Sequence, residues 1–200
     1  MTDDSTNTGR RRFLVGSTSA VGAVGVVGAA VPFVGSWNPS AKARAAGAPV
    51  RIDISRLQDG EILGPIPAWR GRPIFVIKRT QEALDALTAM GDRLADPDSE
   101  QPEQPSYAQN EFRSRRPELL VLIGICPHLG CSPAPHIELQ PEPFDGEWRG
   151  GFYCACHGSR FDLAGRVFRN VPASRNMEVP PYSFESDDVI IIGVDEENQA

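Results

Sequence analysis

Two short segments, Cys126-Pro127-His128-Leu129-Gly130-Cys131 and Cys154-Ala155-Cys156-His157-Gly158-Ser159, hold all four cysteines and two of the three histidines. Thiolate and imidazole donors concentrated in this way point to a metal centre shared by two loops. Written as patterns, the segments are C-x-H-x-x-C and C-x-C-H. Each supplies one Cys and one His that could bind metal, and each has one Cys left over; the two spare cysteines can pair with each other. A structural zinc site normally draws on C-x₂₋₄-C and H-x₃₋₅-H pairs. Mixed loops suit instead a two-iron cluster with cysteines on one iron and histidines on the other. Haem attachment needs C-x-x-C-H, and Cys154-Ala155-Cys156-His157 is one residue short of it. Zinc and two plain disulfides remain the alternatives at this point.

Charge divides the chain. From Pro49 onward there are 15 basic and 24 acidic residues, so the body is acidic and excludes a nucleic-acid partner, which would need a basic footprint. Ahead of Pro49 lies Arg10-Arg11-Arg12-Phe13-Leu14, the form of a twin-arginine export signal. No charge follows until Lys42, and the apolar run Leu14–Val34 holds 21 residues. At about 1.5 Å per helical residue this reaches roughly 30 Å, one bilayer core. The run exceeds the ~7–15 residues of a cleaved signal peptide, so it is expected to stay as an anchor. Basic residues before it place the N-terminus in the cytoplasm. The expected organisation is a cytoplasmic segment over 1–12, a transmembrane helix over 13–37, a flexible tether over 38–49 and a folded domain over 50–200. The metal-binding subdomain falls at about 124–174. Ala41–Ala48 is the small-residue core of the tether.

The body reads as mostly β. Strands are expected at Val50–Ile54, Ile74–Lys78, Leu119–Ile125 and Val189–Val194, and Phe152-Tyr153 leads into Cys154. Thr80 caps a short helix over Gln81–Met90, with Ala83, Leu84, Leu87 and Met90 on one face. Arg160–Phe168 forms a hairpin around Ala164-Gly165. The polar, Pro-rich stretch Ala95–Pro117 is expected to be a surface excursion. The segment Leu129–Tyr153 is expected to be an insert, with His136 a solvated loop histidine.

At the two cysteine boxes the chain resembles the Rieske proteins of cytochrome bc complexes, whose boxes read C-T-H-L-G-C and C-P-C-H-G-S. Trp37-Asn38-Pro39-Ser40, Tyr107–Arg113, Asp162–Phe168 and Val179–Tyr182 extend the resemblance to the proteobacterial ubiquinol–cytochrome c reductase iron–sulfur subunits. It implies a mainly β fold, a Rieske-type antiparallel β-sandwich with a small cluster-binding subdomain, plus one N-terminal transmembrane helix. It implies one Rieske [2Fe–2S] cluster, with Cys126 and Cys154 on the buried iron and His128 and His157 on the outer iron. It further implies a Cys131–Cys156 disulfide, and His157 as hydrogen-bond partner of the quinol. Leu129, Gly130 and Pro172 would be docking residues, and Ser159 and Phe161 would tune the cluster. The function implied is to take an electron and a proton from ubiquinol and deliver the electron to a c-type cytochrome. The partners implied are a cytochrome b subunit, a c-type cytochrome subunit and lipid of the bacterial inner membrane, in a dimeric complex with the head in the periplasm.

The boxes also depart from the family. Pro127 replaces Thr and removes an N–H donor. Ala155 replaces Pro, while Asn170 and Ser174 replace the Gly and second Pro of the third loop. Phe161 stands where many members carry a Tyr that hydrogen-bonds a cysteine sulfur. A soluble Rieske carrier, such as an arsenite oxidase small subunit or an oxygenase ferredoxin, is the second reading. The anchor and tether argue against the oxidase subunit, and the Cys131/Cys156 pair against the ferredoxin.

Overall fold

The computed structural model describes residues 7–195. Residues 1–6 of the expected cytoplasmic segment and 196–200 at the end of the folded domain lie outside the described residues. The chain forms two compact units, one ending at Ala45 and one beginning at Ala46.

In the first unit, helix α1 spans Thr8–Gly35. Asn7 caps it, its side chain accepting from the Arg10 N–H at 3.2 Å. None of its residues is buried, and its 28 residues, with an uncharged apolar run after Arg12, suffice to cross a bilayer. Beyond it Trp37 sits edge-on to Phe33, ring centroids 5.5 Å apart, and is itself exposed. Amphipathic indoles favour the membrane–water interface. The segment expected to be a flexible tether contains a six-residue helix, α2, over Ala41–Ala46. Alanine's helix propensity accounts for the difference, since Ala-Lys-Ala-Arg-Ala-Ala carries no breaker before Gly47.

The second unit is built from three antiparallel three-stranded sheets. The first joins β1 (Val50–Asp53), β9 (Val189–Ile192) and β8 (Tyr182–Ser186) in that order. The second joins β2 (Ile62–Trp69), β3 (Arg72–Lys78) and β4 (Leu119–Ile123). The third joins β5 (Ala134–His136), β6 (Gly151–Cys154) and β7 (Ser159–Asp162), and it carries the second cysteine box. β3 and β4 pair from Ile74↔Ile123 to Lys78↔Leu119. Every residue of β4 is buried, as are Ile74–Ile77 of β3, which explains their unbroken apolar runs. Phe75 reaches from this sheet to Phe152 of β6, centroids 5.6 Å apart. A Cβ on Gly124 would run into the Phe75 ring, so a glycine is needed where β4 turns toward Cys126. Helix α3 spans Gln81–Ala89, with Thr80 Oγ1 accepting from the Ala83 N–H and Ala83 and Leu87 buried.

Two expectations about loops are corrected. Within Ala95–Pro117, Asp96, Ser99, Ala108, Arg113 and Ser114 are buried. Arg113 donates to the carbonyls of Ala164 and Gly165 at 3.1 and 3.3 Å, and Arg79 donates to those of Phe112 and Leu163 and to Ser114 Oγ. Burial pushes both guanidinium groups down to about 10, against the pull of the Asp162 charge, so they stay charged near neutrality. A polar stretch is thus drawn inward because buried arginines satisfy backbone carbonyls that no strand pairs. The 129–153 insert is also packed. Trp148 is fully buried and donates from Nε1 to the His136 carbonyl at 3.0 Å. Phe144 stacks on Tyr153, centroids 4.1 Å apart. His136 is half-buried in β5, with Nδ1 3.1 Å from Glu142 Oε1, so it is not a freely solvated side chain.

Candidate metal centre

Strand β4 and the strand pair β6–β7 deliver the two cysteine boxes. Each box closes on itself in the same way. The Gly130 N–H donates to the Cys126 carbonyl at 3.0 Å, and the Gly158 N–H donates to the Cys154 carbonyl at 2.9 Å. Both glycines take positive φ, +83° and +77°, a conformation costly for a residue with a Cβ. The Cys126 N–H also donates to the Cys131 carbonyl at 2.7 Å, which folds the first box into a compact loop.

A disulfide between Cys131 and Cys156 bridges the loops. Cys126 and Cys154 remain as free thiols, and both are buried. Burial pushes the Cys126 thiol up, opposed by hydrogen bonds from the His128 N–H and the Ser159 hydroxyl. A thiolate there therefore needs a compensating positive charge, as metal coordination provides. At the outer side of the loops the His128 and His157 rings meet edge to face, centroids 4.9 Å apart. His128 is half-buried and His157 exposed. Two adjacent buried thiols and two adjacent outer imidazoles match the mixed donor set of a two-iron cluster with unlike irons. The sulfurs of Cys131, Cys154 and Cys156 also lie within 4.8 Å of one another, but two of these are consumed by the disulfide and are not free ligands.

A third loop is fastened to the site. The Ser159 hydroxyl oxygen accepts from the Ala173 N–H at 3.0 Å, so Val171-Pro172-Ala173 is tied to the second box. Asn170, at the position of the family's glycine, has φ +58°. Asparagine tolerates the left-handed region better than other side chains, so the departure preserves the turn. Phe161 is fully buried in β7, paired with Phe152. Leu129 is 70 % exposed, the large apolar side chain left uncovered among the described residues of the second unit. Gly130, within the first box, and Pro172, in the third loop, are both exposed.

Sequence patterns did not single out Asp145. Its buried carboxylate accepts from Arg93 Nη2 at 2.6 Å and from Arg160 Nη1 at 2.9 Å, clamping the insert to β7 next to Ser159. In sequence it looks like any other acid of a polar insert. The pair Arg166–Asp162 is likewise buried, Nε to Oδ2 2.8 Å, at the turn after Phe161.

The sheets, the two boxes and the bridge between them define a Rieske-type iron–sulfur domain. The family model described as "Rieske [2Fe-2S] domain" matches residues 108–183, and that described as "Ubiquitinol-cytochrome C reductase Fe-S subunit TAT signal" matches residues 1–40. The ubiquinol-cytochrome c reductase iron-sulfur subunit of Allochromatium vinosum is 53 % identical over 98 % of this chain and 93 % of its own. That of Bradyrhizobium diazoefficiens is 40 % identical over 92 % of this chain and 94 % of its own. The chain belongs to the family of ubiquinol–cytochrome c reductase iron–sulfur subunits. It is thus an electron-transferring subunit of a quinol–cytochrome c reductase, with a twin-arginine signal and, among the described residues, one N-terminal membrane-spanning helix. The helix anchors it in the inner membrane, and the domain faces the periplasm.

Proposed function

We propose that Cys126 and Cys154 hold one iron of a [2Fe–2S] cluster, that His128 and His157 hold the other, and that His157 meets the quinol. The observation that carries this reading is the sorting of donors by depth: thiols buried, imidazoles paired at the outer side. When bound, the cluster supplies a one-electron acceptor whose imidazole ligands turn more basic on reduction.

The residues around it then have separate tasks. The exposed His157 imidazole accepts the hydrogen bond of the quinol hydroxyl and holds the proton after transfer. Leu129, Gly130 and Pro172 present an apolar rim that fits the quinol pocket of a cytochrome b subunit and keeps water out of it. Ser159 donates to the Cys126 sulfur, which favours the reduced form. The disulfide and the Ser159–Ala173 bond hold three loops in one arrangement while the rim docks and leaves. The segment after α1 lets the head move between the quinol pocket and a c-type cytochrome subunit, within a dimeric complex.

Fractionation with kinetics tests this. Ubiquinol-dependent, inhibitor-sensitive reduction of cytochrome c in membranes should vanish when the chain is deleted and return with the wild-type chain. Activity that survives deletion, or a chain found wholly soluble, contradicts the reading.

A further inference from the structure

We propose that Cys131, Cys154 and Cys156 form an intramolecular thiol–disulfide exchange site, which becomes available once Cys154 is not holding iron. The inference rests on the ligand assignment above only in that iron and the disulfide compete for Cys154.

The three sulfurs lie within 4.8 Å of one another, and one of them, Cys154, is a free thiol beside an intact bridge. Exchange requires a thiolate to approach a disulfide sulfur, and access decides its rate. Here the approach is built into the fold. Cys154 gives its proton to water and its thiolate attacks Cys131 Sγ. The Cys131–Cys156 bond breaks, a Cys131–Cys154 bond forms, and Cys156 leaves as a thiolate that takes a proton from water. One thiol and one disulfide stand on each side, so no oxidant or reductant is needed. Attack on Cys156 instead would join two residues separated only by Ala155, a small ring that disulfide geometry disfavours. The leaving residue, Cys156, is exposed, while Cys126 is buried.

The consequence concerns assembly. The exchanged chain has spent a cluster ligand on a disulfide and can no longer take iron there. Loading must therefore precede formation of the bridge, or a dithiol must reopen it. An export route that carries folded protein suits that order, because the thiols meet iron before they meet an oxidising compartment.

The test compares full-length Cys126→Ser and Cys154→Ser chains, purified in detergent without added thiol, with the wild-type chain before and after iron is stripped by a chelator. Non-reducing peptide mapping reads the disulfide, and maleimide labelling reads Cys156. Stripped wild type and Cys126→Ser should carry mostly Cys131–Cys154, with Cys156 labelled. Loaded wild type and Cys154→Ser should keep Cys131–Cys156. A dithiol should restore iron and sulfide uptake to the stripped wild type. The proposal is overturned if stripped wild type and Cys126→Ser retain only Cys131–Cys156. Iron content of the same samples judges the ligand assignment separately: a Cys126→Ser chain with its full iron would sink that assignment and leave the exchange to the disulfide maps.

Discussion

The Ser159 hydroxyl oxygen accepts the backbone N–H of Ala173 at 3.0 Å, joining the second cysteine box to the Val171-Pro172-Ala173 loop. The same hydroxyl also hydrogen-bonds the Cys126 sulfur. One side chain thus couples loop position to the electronic environment of the site.

Replacing Ser159 by Ala should change both at once. The Ala173 N–H is left buried without its partner, which costs about 1–3 kcal/mol. The sulfur loses a donor, so the midpoint potential should fall. A redox titration and a thermal melt on the same sample check this. A lower melting temperature with an unchanged potential would show that the hydroxyl serves the loop alone.

Phe161 provides the converse change. It is fully buried and carries no donor where many relatives have a Tyr. Phe161→Tyr should raise the midpoint by roughly 40 mV, the equivalent of about 1 kcal/mol for a one-electron couple. An unchanged or lower midpoint counts against hydrogen bonding to sulfur as the tuning device.

The buried pair Arg166–Asp162 secures the turn that follows Phe161, and Asp162 Oδ1 also accepts from the Ala164 and Arg166 N–H groups. Arg166→Met removes the cation bonded to Asp162 and leaves that buried carboxylate with only its backbone donors and the fields of Arg79 and Arg113. It should cost about 3–5 kcal/mol of stability, read by denaturant unfolding. Replacing both partners by apolar residues should cost much less than the two single changes added together.

Helix α2 and Gly47 separate the anchor from the first strand. Prolines over Ala45–Gly47 should slow steady-state quinol oxidation while leaving the cluster spectrum intact. Normal turnover with an intact spectrum would show that mobility in this segment is not limiting.

The parts of the fold legible in the sequence were those where one local signal decides. The Thr80 cap started α3, and unbroken apolar runs marked β3 and β4. Strand β2 was missed because Pro65 and Pro67 argue against a strand; it lies at the edge of its sheet, where a missing N–H is tolerated. Strand β5 was missed for a similar reason, with Pro135 in its centre at another sheet edge. The packing of Ala95–Pro117 depends on Arg79 and Arg113 meeting carbonyls far away in sequence, which no local pattern records. At the site, residue types and spacing exposed the donors, whereas the Asp145 clamp depends on two arginines from separate segments.

Iron and labile sulfide content, with the electron spin resonance spectrum of the reduced protein, tests the donor assignment most directly in His128→Ala and His157→Ala. The account predicts that each variant loses the low-average-g Rieske signal and most of its cluster. Either variant retaining a normal amount of a cluster with the wild-type spectrum would contradict it.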